Sequence, residues 1–336
     1  MRRSRCSRRL LALVVFGLVQ SGGRAQPATA QTAPSPQVDF LLIPVGARAA
    51  AMGQAAVTDA ATSEAVFWNP AGLALLPRSE LAVHHYSSFF GPGDAVVLAV
   101  PSAGIGAFAL AAYVVDYGNF DVTPASPGGP PPGPIAIATV RNIALSASFA
   151  TTVGGAVSAG IGYKLVQFRV DCSGDCSDVP PSVGTTHSVD VGALWRPGGR
   201  RVSIGVALRH IGFKLQVNNQ AQADPLPTTL QAGASWVAFP PPATGDGFDI
   251  RVAADVQARA RRGVSDPVLL IGLDAGVREL VRLRGGYAFL NSEARGPSLG
   301  IGLSYASFAF DLARVFFAND PIGEEEPVHL SLRLFF

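Results

Sequence analysis

The sequence predicts an all-β protein: a transmembrane antiparallel β-barrel of about 14 strands with a small N-terminal hatch in the lumen. Three observations predict it. Short segments in which apolar residues alternate with small or polar ones recur along most of the chain, and the last runs to the end as Val328-His329-Leu330-Ser331-Leu332-Arg333-Leu334-Phe335-Phe336. Successive strand side chains point to opposite faces, so Val328, Leu330, Leu332, Leu334 and Phe336 make one greasy face and His329, Ser331 and Arg333 a wet one. Second, 48% of the 336 residues are hydrophobic and only 15% charged, yet after residue 25 no run of about eighteen apolar residues offers a spanning helix. Third, the connections sort by length. Those at 117–138, 171–184, 216–226 and 317–327 fall on one side, whereas the other side receives 101–103, 152–155, 196–200 and 278–279, with 240–247 its one longer turn. Outer-membrane barrels have this asymmetry of long outside loops and short periplasmic turns.

The elements follow in order. Residues 1–25 read as a secretory signal peptide: five arginines lie between Met1 and Arg9, and Leu10 to Val19 is an apolar core of ten residues. Small-residue cleavage sites occur at Gly23-Arg24-Ala25 and at Ala28-Thr29-Ala30, which sets the latest boundary at 30. Residues 26–39 are expected to be a disordered linker. Residues 40–79 are too apolar for a solvated tail and lack strand alternation, so they are expected to fold into the lumen. Within them Ala47 to Met52 and Ser63 to Phe67 suit short helical pieces, and Gly46, Gly53 and Asn69-Pro70 interrupt them.

The barrel occupies 80–336, with strands expected near 80–89, 94–100, 104–117, 139–151, 156–170, 185–196, 201–215, 227–239, 248–259, 267–277, 280–290, 297–305, 307–316 and 328–336. An even number returns the C-terminus to the side where the first strand began. Charge at mid-depth on a lipid face costs about 2 to 4 kcal/mol, so Lys164, Asp190, Arg251, Asp255, Asp274, Arg282, Arg284, Asp311 and Arg333 are expected in the lumen. A mutually neutralising network suits them better than a dedicated ligand site. Elsewhere the inward positions are small, as at Ser158, Gly160 and Gly162 or Ser298, Gly300 and Gly302, which leaves the interior room for a guest.

Pro44-Val-Gly-Ala-Arg-Ala-Ala-Ala-Met-Gly53, followed by Trp68-Asn-Pro-Ala-Gly-Leu-Ala74, resembles the N-terminal region of the PorV/PorQ family, part of the wider group of FadL-like fourteen-stranded barrels. The resemblance covers about a tenth of the chain. It implies that Gly46, Arg48, Met52, Gly53, Asn69, Pro70, Ala71 and Gly72 are hatch positions. It further implies an outer-membrane protein of a Gram-negative-type bacterium, acting as a type IX secretion-associated carrier or scaffold for exported proteins. The alternative it leaves open is a FadL-like transporter of hydrophobic small molecules, for which Phe40, Leu41, Leu42, Phe67 and Trp68 are placed to line an apolar pocket. Expected partners are outer-membrane lipids and the barrel assembly machinery, then either secretion components with their cargo or a hydrophobic solute.

The remaining features carry less. Cys172 and Cys176 sit in an outside loop in an oxidising place and are expected to form a local disulfide. Asp171, Asp175 and Asp178 beside them lack calcium-loop spacing, so no metal is expected, and no cofactor. No arrangement of nucleophile and base suggests an enzyme. A formal net charge of +2 gives no case for nucleic acid. Phe336 is read as the C-terminal assembly signal.

Overall fold

Alternation becomes a closed wall in the computed structural model of the chain. The structure describes residues 36–336 apart from 60, 88–90, 125–132, 178, 199–200, 218–222, 241–246, 261–263, 279, 290–295 and 317–325. The expected signal peptide and most of the expected linker lie outside the described residues, as does Asp178.

The strands are β1 (Glu80–Ser87), β2 (Gly93–Ser102), β3 (Gly106–Val122), β4 (Ala136–Val153), β5 (Val157–Gly174), β6 (Ser182–Trp195) and β7 (Val202–Gly212). They continue as β8 (Thr229–Phe239), β9 (Phe248–Ala260), β10 (Val264–Val277), β11 (Val281–Phe289), β12 (Gly296–Tyr305), β13 (Phe308–Val315) and β14 (Val328–Phe335). Each pairs antiparallel with its sequence neighbours, and β1 pairs with β14, Glu80 opposite Phe335 and Ser87 opposite Val328, so the 14 strands form a closed barrel without edges. All fourteen expected strands are present. Their burial strictly alternates where one face is lipid and the other lumen, as in β1 and β13.

The outer face is apolar, with Leu110, Leu145, Ile161, Val256, Leu283 and Leu299 all exposed. Phe108, Trp195, Trp236, Phe248, Tyr305 and Phe308 ring its short-turn end, where amphipathic rings suit a membrane–water boundary. Three strands outrun the expectation. β3, β4 and β5 span 17, 18 and 18 residues, so the connections read at 117–138 and 171–184 are partly strand. Pairing resumes after a register shift between Asp116 and Asn119, a bulge that hides the alternation from a sequence reading.

The lumen holds the N-terminal segment. Helix α1 (Pro36–Asp39) leads into a 3-10 turn (Phe40–Leu42), so the hatch starts four residues earlier than the expected linker boundary, with Val38 fully buried. Then follow α2 (Ala47–Ala51), α3 (Ala65–Trp68) and a second 3-10 turn (Pro70–Leu75) that delivers the chain to β1.

Candidate functional site: a pocket between hatch and wall

The hatch is seated on glycines of the wall. Gly160, Gly192 and Gly205 lie against Pro70, Asn69 and Val57, while Gly272, Gly286 and Gly300 lie against Met52, Gly53 and Ala51; a Cβ at any of the six would collide with the hatch. Close approach of backbone to backbone requires residues without side chains. Polar groups complete each seat. Asn69 caps the second 3-10 turn by accepting from the Ala71 N–H at 3.1 Å, while its amide donates to the Val57 carbonyl at 2.8 Å and to the wall carbonyl of Ala193 at 3.2 Å. The Asn-Pro pair is therefore a helix cap and an anchor as well as a turn start. On the other side Ser298 Oγ accepts from the Gly53 N–H (3.1 Å) and donates to the Ala51 carbonyl (2.9 Å), and Ser331 Oγ accepts from the Ala47 N–H (2.9 Å).

The remaining motif residues serve the same docking. Gly46 has φ +94° and precedes α2 with the buried Glu64 carboxyl where its side chain would be. Met52 is buried with Ala55, Ala253, Leu270 and Ala288. Pro70 opens the 3-10 turn, and the buried Gly72 accepts from the Ala61 N–H at 3.2 Å.

All nine expected lumen charges face inward, but they do not form one network. Arg48 meets Asp59 (3.2 Å), which also pairs with Arg251; Asp274 pairs with Arg282 (2.8 Å) and Arg284 (3.4 Å), and Asp311 with Arg284 (2.5 Å) and Arg333 (2.7 Å). This ladder runs from β9 to β14. Lys164 and Asp190 stand apart as a pair at 2.5 Å on β5 and β6, and Asp255 has no cation partner within ion-pair distance among the described residues. It accepts instead from the Val57 N–H (2.9 Å) and the Gln231 amide (2.8 Å).

A small pocket, with a cavity volume of about 30 Å³ and partly open to solvent, lies on the Lys164 side. Its hatch wall is Leu41, Leu42, Ile43, Val45, Gln54, Phe67 and Trp68; its barrel wall is Tyr113, Ala144, Ser146, Lys164, Arg209, His210 and Gln257. Of the five expected pocket residues four line it. Phe40 does not, being buried behind the lining with its ring stacked on Tyr113 at 5.6 Å. Trp68 is fixed by donating to the Val45 carbonyl (3.0 Å), and the Arg209 guanidinium lies 5.0 Å over its ring.

Alternation alone does not bring Arg209 and His210 together in the lumen. Their neighbours Leu208 and Ile211 pair with Val191 and Val189, so two β7 residues face the single Asp190 of β6 and both side chains turn inward. This is a β-bulge, and His210 takes φ +59° in it while its N–H donates to Asp190 at 2.8 Å. Arg209 donates to the Phe67 carbonyl (3.0 Å), Gln231 (2.9 Å) and Gln257 (3.4 Å).

Two further groupings bring reactive side chains together. Ser331 Oγ is 2.8 Å and Glu64 4.0 Å from the same nitrogen, Nδ1, of His84. A base relayed between carboxylate and nucleophile needs both ring nitrogens, so this is packing rather than a triad. Cys172 and Cys176 are joined by a disulfide at the outer end of β5.

The sequence matches no protein-family model and no curated protein. By structure the chain is similar to the Ralstonia pickettii toluene transporter TbuX (TM-score 0.59, 14% identity, 87% of this chain and 98% of that one). It is similar also to the Pseudomonas putida toluene transporter TodX (TM-score 0.59, 12% identity, 87% and 98%) and to a Pseudomonas aeruginosa FadL homologue (TM-score 0.52, 14% identity, 88% and 99%). At such identities the likeness establishes the fold. The chain is a fourteen-stranded barrel with the FadL-type fold.

Proposed function

We propose that this protein sits in an outer membrane and passes small hydrophobic molecules through the pocket between hatch and wall. The carrying observation is the pocket: Leu41, Leu42, Ile43, Val45, Phe67, Trp68 and Tyr113 give it an apolar side, continuous with the buried apolar face of β1 to β5. Concave, mostly apolar sites with a few placed polar groups are what small ligands occupy. The fold it shares with two toluene transporters supports the same reading. The secretion role implied by the PorV/PorQ resemblance rests on the hatch motif alone, and the motif residues are occupied in docking the hatch.

The test is a strain lacking the protein. Slower uptake of a labelled hydrophobic compound, with surface display of exported proteins intact, is the expected outcome. Unchanged uptake with lost display would reject the transporter and favour the secretion role.

A further inference from the structure

One end of the pocket is polar in a way that a plain hydrocarbon would not use. His210 lines it, is 3% exposed, and among the described residues neither ring nitrogen has a hydrogen-bond partner, Nδ1 standing 4.0 Å from the Asp190 carboxylate. Burying such a group unpaired is costly unless something arrives to pair with it. Its backbone is also strained, since φ +59° is uncommon outside glycine, and strain of this kind gathers at functional positions. The bulge opposite Asp190 is what turns the ring inward; regular alternation would have sent it to the lipid face.

The charges at this end decide what kind of group fits. Lys164 is matched by Asp190 at 2.5 Å, and Arg209 is joined to Asp255 through the Gln231 amide at 2.9 and 2.8 Å. Two cations and two carboxylates therefore lie at this end, one pair in direct contact and the other linked through a neutral amide. An anionic head would enter without a counter-charge, whereas a neutral hydroxyl or carbonyl could exchange a hydrogen bond with the imidazole.

Resting on the transporter reading above, we propose that the pocket selects uncharged amphiphiles, an apolar body carrying one neutral hydroxyl or carbonyl, and that His210 is the residue that recognises the polar group. Ser146 and Gln257 line the same pocket and offer the second partner that such a group can use.

The experiment measures equilibrium binding of toluene, p-cresol and ionised p-toluate to the protein in lipid nanodiscs at pH 8, with empty nanodiscs subtracted. We expect p-cresol to bind about tenfold tighter than either of the others, the scale of one buried hydrogen bond. In His210→Phe the ratio of p-cresol to toluene affinity should fall toward one. His210→Asn tolerates the positive φ and keeps a hydrogen-bonding group, so it should retain part of the preference and serves if the Phe variant does not fold. Equal binding of toluene and p-cresol, or a ratio unchanged in His210→Phe, would overturn the proposal and leave the transporter reading standing. Tightest binding of p-toluate would overturn it in favour of an anion site. Binding of none of the three would remove the transporter reading as well.

Discussion

Glu64 is buried at 1% exposure, and among the described residues neither of its carboxyl oxygens has a hydrogen-bond partner. Burial, the largest influence, pushes this hatch carboxyl up to about 7, and Arg333 and Arg48 pull it back only in part. The sign follows from linkage. Below the ordinary carboxyl range Glu64 is protonated whether or not the hatch is docked, and docking is at full strength; as pH rises toward and through 7 the docked state must hold a charge the undocked state holds freely. Relative to Glu64→Gln, the parent should therefore lose Tm in detergent as pH rises from about 5 to about 7, whatever slope the other buried groups impose on both; a difference between the two that stays flat or shifts in the parent's favour over this window would contradict the burial argument. Asn69 makes the opposite kind of contribution, through three hydrogen bonds that are all satisfied. Asn69→Ala should cost about 1 to 2 kcal/mol of hatch docking, a lost cap with two carbonyls left unpaired, read as a lower Tm at every pH.

At the scale of elements, the hatch and its two glycine seats form one fitted joint. Gly286 meets Gly53 and Met52 so closely that Gly286→Val must lift the hatch from β11, while the outward face of that strand is unaltered. A cysteine at Ala71, with Cys172 and Cys176 replaced, should resist a bulky periplasmic thiol reagent in the parent and react at least several-fold faster in Gly286→Val. Equal rates would mean that the two seats act independently.

This joint was half legible in the sequence. Small inward residues at Gly160 and Gly300 announced room in the lumen, and the breakers at Gly46 and Asn69-Pro70 divided the hatch, because alternation and turn chemistry are local. The pocket was less legible. Leu41, Leu42, Phe67 and Trp68 could be picked out as apolar residues in a segment without strand pattern, but Arg209 and His210 could not. Adjacent strand residues are read as facing opposite ways, which holds for His84, 3% exposed, and fails for His210 because a bulge depends on the partner strand. For the same reason β3 was read to end near 117, where a register shift interrupts it.

For the whole molecule, closure through β1 and β14 removes every sheet edge, and the wall is hydrogen-bonded all round. Such a barrel should keep its compact migration on a gel until boiled, and equal migration before and after heating would speak against it. Phe336 caps the chain with its side chain 65% exposed beside the paired Phe335, at the short-turn end. Deleting it should leave the wall pairing possible yet lower the yield of membrane-inserted protein, measured as the heat-modifiable fraction; an unchanged fraction would remove its role as an assembly signal.

The Ala47 N–H bonds to Ser331 across 284 residues of chain, and the Gly53 N–H reaches Ser298 across 245. This part of the docking place of the hatch is thus built from strands that follow it by most of the sequence. Contacts so distant along the chain form late, after their loop-closure entropy has been met. The hatch thus fastens the latest strands of the wall to the segment that precedes the first of them.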